Sequence, residues 1–197
     1  MKRLIRFCSL AVVFVAFSSN AFANEDYKFS QSGSTIAFQI HQFLGTVRGK
    51  FTRFEGKITI DREHIERSSV SVTIQASSID TGIAARDEHL RSSELFNVAK
   101  YPAITFRSRS VKQTGRDSAD IAGDLTMHGT TRSITLHVKL ITPLTQQASM
   151  SRARWQVTTG PIKRGDFGLM WSSSVEAISM ISQDVVPKIE IEASRAE

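Results

Sequence analysis

The stretch Ile121-Ala122-Gly123-Asp124-Leu125-Thr126-Met127, the polar break His128-Gly129-Thr130-Thr131-Arg132-Ser133 and the run Ile134-Thr135-Leu136-His137-Val138-Lys139-Leu140 decide the fold. Ile121, Gly123, Leu125 and Met127 share one parity, and so do Ile134, Leu136, Val138 and Leu140. A strand points successive side chains to opposite faces, so this period of two predicts two half-buried strands joined by a turn. The same alternation recurs on both sides: Ile36, Phe38 and Ile40; Val70, Val72, Ile74 and Ala76; Ile104, Phe106 and Ser108; Trp155 and Val157; Ile189, Ile191 and Ala193. The opposite parity carries Gln39, His41, Thr73, Gln75, Arg107, Thr135, His137, Glu190 and Glu192, which belong in water.

Polar and glycine-rich clusters at 31 to 34, 61 to 69, 114 to 118 and 128 to 133 read as turns. Eight or more antiparallel strands follow, in a single sandwich or barrel; a barrel is preferred because closure removes exposed edges. Gly45, Gly49 and Gly56 interrupt the stretch from 45 to 61, where a missing Cβ lets a strand bend or a neighbour approach closely. One segment departs from period two. From Ile83 to Phe96, the residues Ile83, Leu90 and Leu95 or Phe96 fall near one helical face, with Asp80 or Thr81 and then Ser92 or Ser93 as N-caps of two short helical pieces. Such an insertion is expected either to plug a barrel end or to cover a ligand.

The chain has 197 residues, 41% of them hydrophobic, which suits one globular domain and excludes collagen-like and low-complexity classes. Cys8 to Phe17 is apolar but too short to span a bilayer, lies behind Lys2, Arg3 and Arg6, and precedes Ala21-Phe22-Ala23. Residues 1–23 therefore read as a cleavable signal peptide and 24–197 as the single barrel domain, exported to the periplasm. The leader takes with it three basic residues and the only cysteine, leaving 22 basic residues against 19 acidic ones and no thiol for a disulfide or a metal.

Motifs for metal, nucleotide or acyl-transfer chemistry are absent from the sequence, and none of the five histidines stands at ligand spacing from another, so no metal is expected. Asp87-Glu88-His89 and Arg164-Gly165-Asp166 are the densest polar clusters; acid–base work, helix surface charge and a turn ion pair explain them equally well. Basic groups such as Arg107 with Arg109 lack aromatic residues at stacking intervals, which argues against nucleic acid. An anionic head group or transient membrane contact suits them better. The apolar faces, summed over an eight-stranded barrel, either fill its centre or surround one small ligand, and periodicity does not choose between these.

Further motifs carry a resemblance. Gly45-Thr46-Val47-Arg48-Gly49-Lys50-Phe51 with Phe54-Glu55-Gly56, Ser78-Ile79-Asp80-Thr81 followed by Arg86-Asp87-Glu88-His89-Leu90-Arg91-Ser92, and Lys100-Tyr101-Pro102-Ala103-Ile104-Thr105-Phe106 stand in order. With Gly123-Asp124-Leu125-Thr126-Met127-His128-Gly129 and Arg164-Gly165-Asp166-Phe167-Gly168, they make residues 27 to 193 resemble the YceI family of periplasmic polyisoprenoid-binding proteins. Leu95 and Asn97 depart from the Phe and Asp common there. The resemblance implies an extended, lipocalin-like antiparallel β-barrel holding a polyisoprenoid, a quinone-type lipid or another amphiphile for transport, storage or sequestration, with no covalent cofactor and no catalytic residues. The tunnel lining it implies is Phe38, Ile40, Val72, Ile74, Leu90, Leu95, Phe96, Phe106, Leu125, Leu136, Val138 and Phe167, with His41, Arg48, His89 and Arg164 as head-group candidates. It also admits a homodimer. Two other readings share the barrel: an enzyme acting on a lipid or amide substrate, and an envelope stress or structural protein with a filled centre.

Overall fold

The computed structural model describes residues 24–43, 45–142, 152–171 and 180–196. The expected leader, 1–23, lies outside them. The described chain is all-β apart from one short α-helix and three 3-10 turns. Its strands are β1 (Glu25–Ser30), β2 (Thr35–Gln42), β3 (Gly45–Phe51), β4 (Phe54–Ile60), β5 (Ser69–Gln75), β6 (Ile79–Asp80), β7 (Ala103–Gly115), β8 (Ser118–Met127), β9 (Thr130–Thr142), β10 (Arg152–Thr158), β11 (Ile162–Lys163) and β12 (Asp184–Arg195), with α1 (Ala84–Arg91) between β6 and β7. Eight of them close an antiparallel ring in the order β1-β4-β5-β7-β8-β9-β10-β12, sealed where Tyr27 and Lys28 meet Arg195 and Ser194.

The other strands extend this ring upward. Only the lower part of β12 pairs with β1, whereas Val185 to Glu190 pair with β2 in register Val185↔Ile40 through Glu190↔Thr35. β1 and β2 thus run the same way along one partner, and are two halves of one long strand broken at residues 31–34. β3 and β4 form a second such strand, broken at Thr52-Arg53, and β5 and β6 a third, broken by the 3-10 turn Ala76–Ser78. The breaks stand at one level, because Ile36 pairs with Phe51, the Thr52 amide donates to the Ser78 carbonyl at 3.0 Å, and the Gln75 amide donates to the Arg53 carbonyl at 3.0 Å. β12 runs through this crease unbroken. Ser34 hydrogen-bonds to its Glu192 backbone from both directions, at 3.1 and 2.9 Å.

β6 has only two residues, so above the crease no strand ladder joins it to β7. The helical insertion occupies that seam. Arg91 donates to the carbonyls of Ser77 and Ile79 at 2.8 and 2.7 Å, Leu95 is buried, and Phe96 meets Phe51 edge-on with ring centroids 6.3 Å apart. The expected caps are corrected here. The helix begins after Ile83, without a side-chain cap, and Ser92 ends it rather than starting a second piece; residues 93–100 are mainly turns. The expected caps are engaged elsewhere: Asp80 Oδ1 accepts from the Gly82 amide at 2.9 Å, and Thr81 donates its amide and hydroxyl, at 2.9 and 2.5 Å, to Oδ1 of the buried Asp87. The turn expected at 128–133 is also shorter. His128 and Gly129 both have positive φ, 51° and 74°, which makes a two-residue hairpin and leaves Thr130 to Ser133 in β9.

Two buried clusters fill the ends of the barrel wall, one around Tyr27, Phe29, Phe54 and Ile191, the other around Phe106, Leu125, Met127 and Phe167. Glu25 clasps the seam below the first: Arg62 donates to its carboxylate at 2.8 Å, the Tyr27 hydroxyl at 2.9 Å, and Arg195 approaches to 3.9 Å. The Arg62 hydrogen bond is the main reason the Glu25 carboxyl titrates below the ordinary glutamate value, against the opposing effect of burial.

Of the three glycines expected to bend a strand or admit a close neighbour, Gly49 and Gly56 admit one inside the wall, whereas Gly45 has open space around it and a φ of 136°. Phe38 lies across Gly49, its register partner, and Phe29 across Gly56, so that a Cβ at either glycine would fall within the opposing ring. Gly56→Val is expected to lower stability by about 2 kcal/mol, because Phe29 must leave its rotamer in a packed cluster. Gly160→Ala, at a site with open space around it, should change stability by less than ~0.5 kcal/mol. Urea unfolding midpoints measure both, and equal midpoints would show that the ring does not depend on the glycine.

Candidate functional site: an apolar bore with a polar upper end

The side chains of the ring do not meet in the middle. They surround a partly open cavity of about 400 Å³ whose wall is almost entirely carbon. It runs from Ile58, Ile60, Val70 and Trp155 below the crease to Gln42, Val47, Thr81, Leu90 and Ile181 above it. Phe51, Val72, Ile74, Leu136 and Val138 touch both buried clusters and form its middle. The volume lies within the roughly 300–1,000 Å³ usual for small-molecule pockets. A wall of aliphatic and aromatic carbon offers water few hydrogen-bond partners and favours an apolar guest.

Phe38, Ile40, Val72, Ile74, Leu90, Leu95, Phe96, Phe106, Leu125, Leu136 and Val138 all line this space. Phe167 does not. It sits in the 3-10 turn Arg164–Phe167, where period-two reasoning no longer applies, and is buried in the wall while its carbonyl accepts a hydrogen bond from His128 Nδ1 at 3.0 Å. The head-group candidates also divide. His89 and Arg164 border the cavity, whereas His41 and Arg48 are exposed on the outer face of the β2–β3 hairpin. Their neighbours Ile40 and Val47 face inward, and adjacent strand residues cannot share a face. His41 Nδ1 is engaged with the Thr46 hydroxyl at 2.9 Å. Side chains that sequence reasoning missed are Val47, Ile58, Ile60 and Trp155 in the wall, and Gln42, Thr81 and Arg86 at its upper end.

The polar groups at that end are organised rather than loose. Arg86 donates to the Thr81 hydroxyl at 2.7 Å and to its carbonyl at 3.0 Å, and the same hydroxyl donates onward to Asp87. Asp87 is thus committed to holding the start of the helical segment. His89 pairs with Glu94 at 2.9 Å on the solvent side. Arg164, 4% exposed, donates to the carbonyls of Leu169 (2.8 Å), Ser182 (3.0 Å) and Ile181 (3.3 Å) and stacks on Trp171 at 4.6 Å. It ties together the two ends of the connection between β11 and β12. Among the described residues no three His, Cys, Asp or Glu side chains converge as a metal site would require.

Comparison with known proteins agrees with this architecture. The model of the YceI-like domain matches residues 27–193. The chain belongs to the YceI-like family. Protein YceI of Escherichia coli O17:K52:H18 is 40% identical over 156 residues, covering 78% of this chain and 81% of that protein, and Protein YceI of Salmonella newport is 37% identical over 171 residues, covering 85% and 87%. Among solved structures, the Campylobacter jejuni YceI protein superposes with a TM-score of 0.66 at 27% identity, covering 77% of this chain and 86% of the other. BcnA of Burkholderia cenocepacia does so with 0.72 at 21% identity, covering 83% and 98%. A polyisoprenoid-binding domain of Saccharophagus degradans gives 0.64 at 19% identity, covering 88% and 100%. At such identities the last two support the shared barrel fold.

Proposed function

We propose that this YceI-like protein binds one long apolar amphiphile, of the polyisoprenoid or isoprenoid-quinone class, and carries or sequesters it in the periplasm. The nearly all-carbon bore is the observation that carries this reading. A polyisoprenoid is a chain of branched C5 units that needs dry, sequence-indifferent contact along its length, which the strand faces offer from Val70 to Val47. Burying methylenes at about 0.8 kcal/mol each can outweigh an association cost of about 4–15 kcal/mol. The polar group of the guest would sit above, near Gln42, Thr81, Arg86 and His89, with the tail directed toward Trp155. That a structurally similar domain of S. degradans binds polyisoprenoid supports the ligand class. The leader read in residues 1–23 supports the compartment. Binding rather than turnover is the activity proposed, and Asp87, buried in hydrogen bonds to Thr81, serves it as a structural residue.

Protein purified without detergent is expected to carry a solvent-extractable apolar compound in near-stoichiometric amount by native mass spectrometry. Trp155 and Trp171, the only two tryptophans of the chain, both line the cavity, so a quinone bearing an isoprenoid tail should quench the intrinsic fluorescence at one equivalent. Protein that is empty as isolated and takes up neither a polyprenyl alcohol nor such a quinone would overturn the proposal.

A further inference from the structure

The loop between β4 and β5 reads Asp61-Arg62-Glu63-His64-Ile65-Glu66-Arg67-Ser68, a polar run with a single apolar residue in it. That residue, Ile65, lines the lower end of the bore and packs against the cluster that holds Val111 and Ile121. The loop's own bonds fix its place. Asp61 Oδ1 accepts the amides of Glu63 and His64 at 3.1 and 2.8 Å, the Ser68 hydroxyl accepts the Asp61 amide at 3.0 Å, and the Ser68 amide donates to the Ile65 carbonyl at 3.0 Å. Arg62 then ties the loop to β1 through Glu25 at 2.8 Å. Across the ring, Trp155 on β10 reaches the same end of the bore and meets Tyr27 edge-on, with ring centroids 6.0 Å apart. Tyr27 is 1% exposed and no longer borders the bore.

Below these two side chains the interior changes character. Glu25 and Arg195 carry the inward parity of β1 and β12 one step past Tyr27 and Ala193, the last buried residues of those strands, and they approach each other to 3.9 Å with Arg62 beside them. A hydrocarbon end gains nothing among ions, and pushing it there would strip their water and part the pairs. We infer that Ile65 and Trp155 are the floor of the bore and set the longest isoprenoid tail it can bury, so that further C5 units stay outside at the upper end. The inference rests on the lipid-binding reading and adds a selection by tail length to it. No strand pairing has to change to move this floor, because one side chain on a loop does so.

The test offers the protein an equimolar mixture of isoprenoid quinones of graded tail length, added from ethanol, and reads the bound species by native mass spectrometry. In the parent, each added C5 unit should raise occupancy until the bore is full, after which further units add nothing. A methylene moved from water into the bore is worth about fourfold in affinity. Ile65→Ala lowers the floor, so tails longer than the parent's plateau should gain about tenfold or more over those below it. Ile65→Phe raises the floor and should move the plateau to shorter tails. Loss of stability does not produce opposite shifts at one position, and near-ultraviolet circular dichroism checks that each variant is folded. Ile141→Ala, at an exposed site outside the bore, should leave the distribution as in the parent. A parent without a plateau, or the same plateau in both Ile65 variants, would overturn the floor and leave the bore standing; a parent that takes up no quinone of any length would reject the bore and the floor with it.

Discussion

Val72→Phe combined with Val138→Phe is expected to abolish amphiphile uptake while leaving the empty protein as stable as before or more so. The two residues lie on β5 and β9, both touch the two buried clusters, and both face the middle of the cavity. Added rings there enter vacant space, so each should recover about 1 kcal/mol of packing. In a solid core the same substitutions would force side chains off their rotamers and cost about 1–3 kcal/mol each. The sign of the stability change therefore distinguishes a bore from a filled barrel, and the loss of tryptophan quenching by an isoprenoid quinone shows that the space is the binding space. A double variant destabilised by several kcal/mol would sink the bore itself.

The second large effect is expected at Arg164. Replacing it by Met keeps the apolar stem but withdraws the donors to Leu169, Ile181 and Ser182, leaving the buried Leu169 carbonyl unsatisfied at about 1–3 kcal/mol and the two half-buried carbonyls at less. We expect a loss of ~3 kcal/mol or more in urea unfolding and faster release of a bound quinone, since Leu169, Trp171 and Ile181 of the cavity wall lose their anchor. Arg164→Lys should recover only part of this, because a single ammonium cannot present the planar fork that reaches carbonyls on both ends of the connection. A Met variant as stable as the parent would mean that Arg164 organises nothing.

The strands, their antiparallel order and the apolar face of each were legible because period two is a local property that burial reinforces, as in Ile121 to Met127 and Ile134 to Leu140. The same parity, read more strictly, already turns His41 and Arg48 outward, since each adjoins an inward residue. Phe167 was harder to place: a 3-10 turn rotates it away from any strand pattern, and its surroundings come from Leu169 and the β8–β9 turn. Arg86 and Thr81 were hidden for another reason. They read as helix surface and cap, and only the seam above the crease, a long-range pairing deficit between β6 and β7, turns that face toward the cavity. Nor could the void itself be read, because a wall and a core use the same side chains.

The crease at 31–34, 52–53 and 76–78 gives the molecule two storeys that share β12 but keep separate ladders. The lower storey is a closed hoop with a fixed girth. The upper one ends in a short β6 and is completed by a helix, so its circumference answers to loop and helix length rather than to strand shear. Insertions or deletions above the crease can thus retune which guest fits without touching the hoop that keeps the protein folded, and diversification of cargo within this architecture should concentrate in the upper storey.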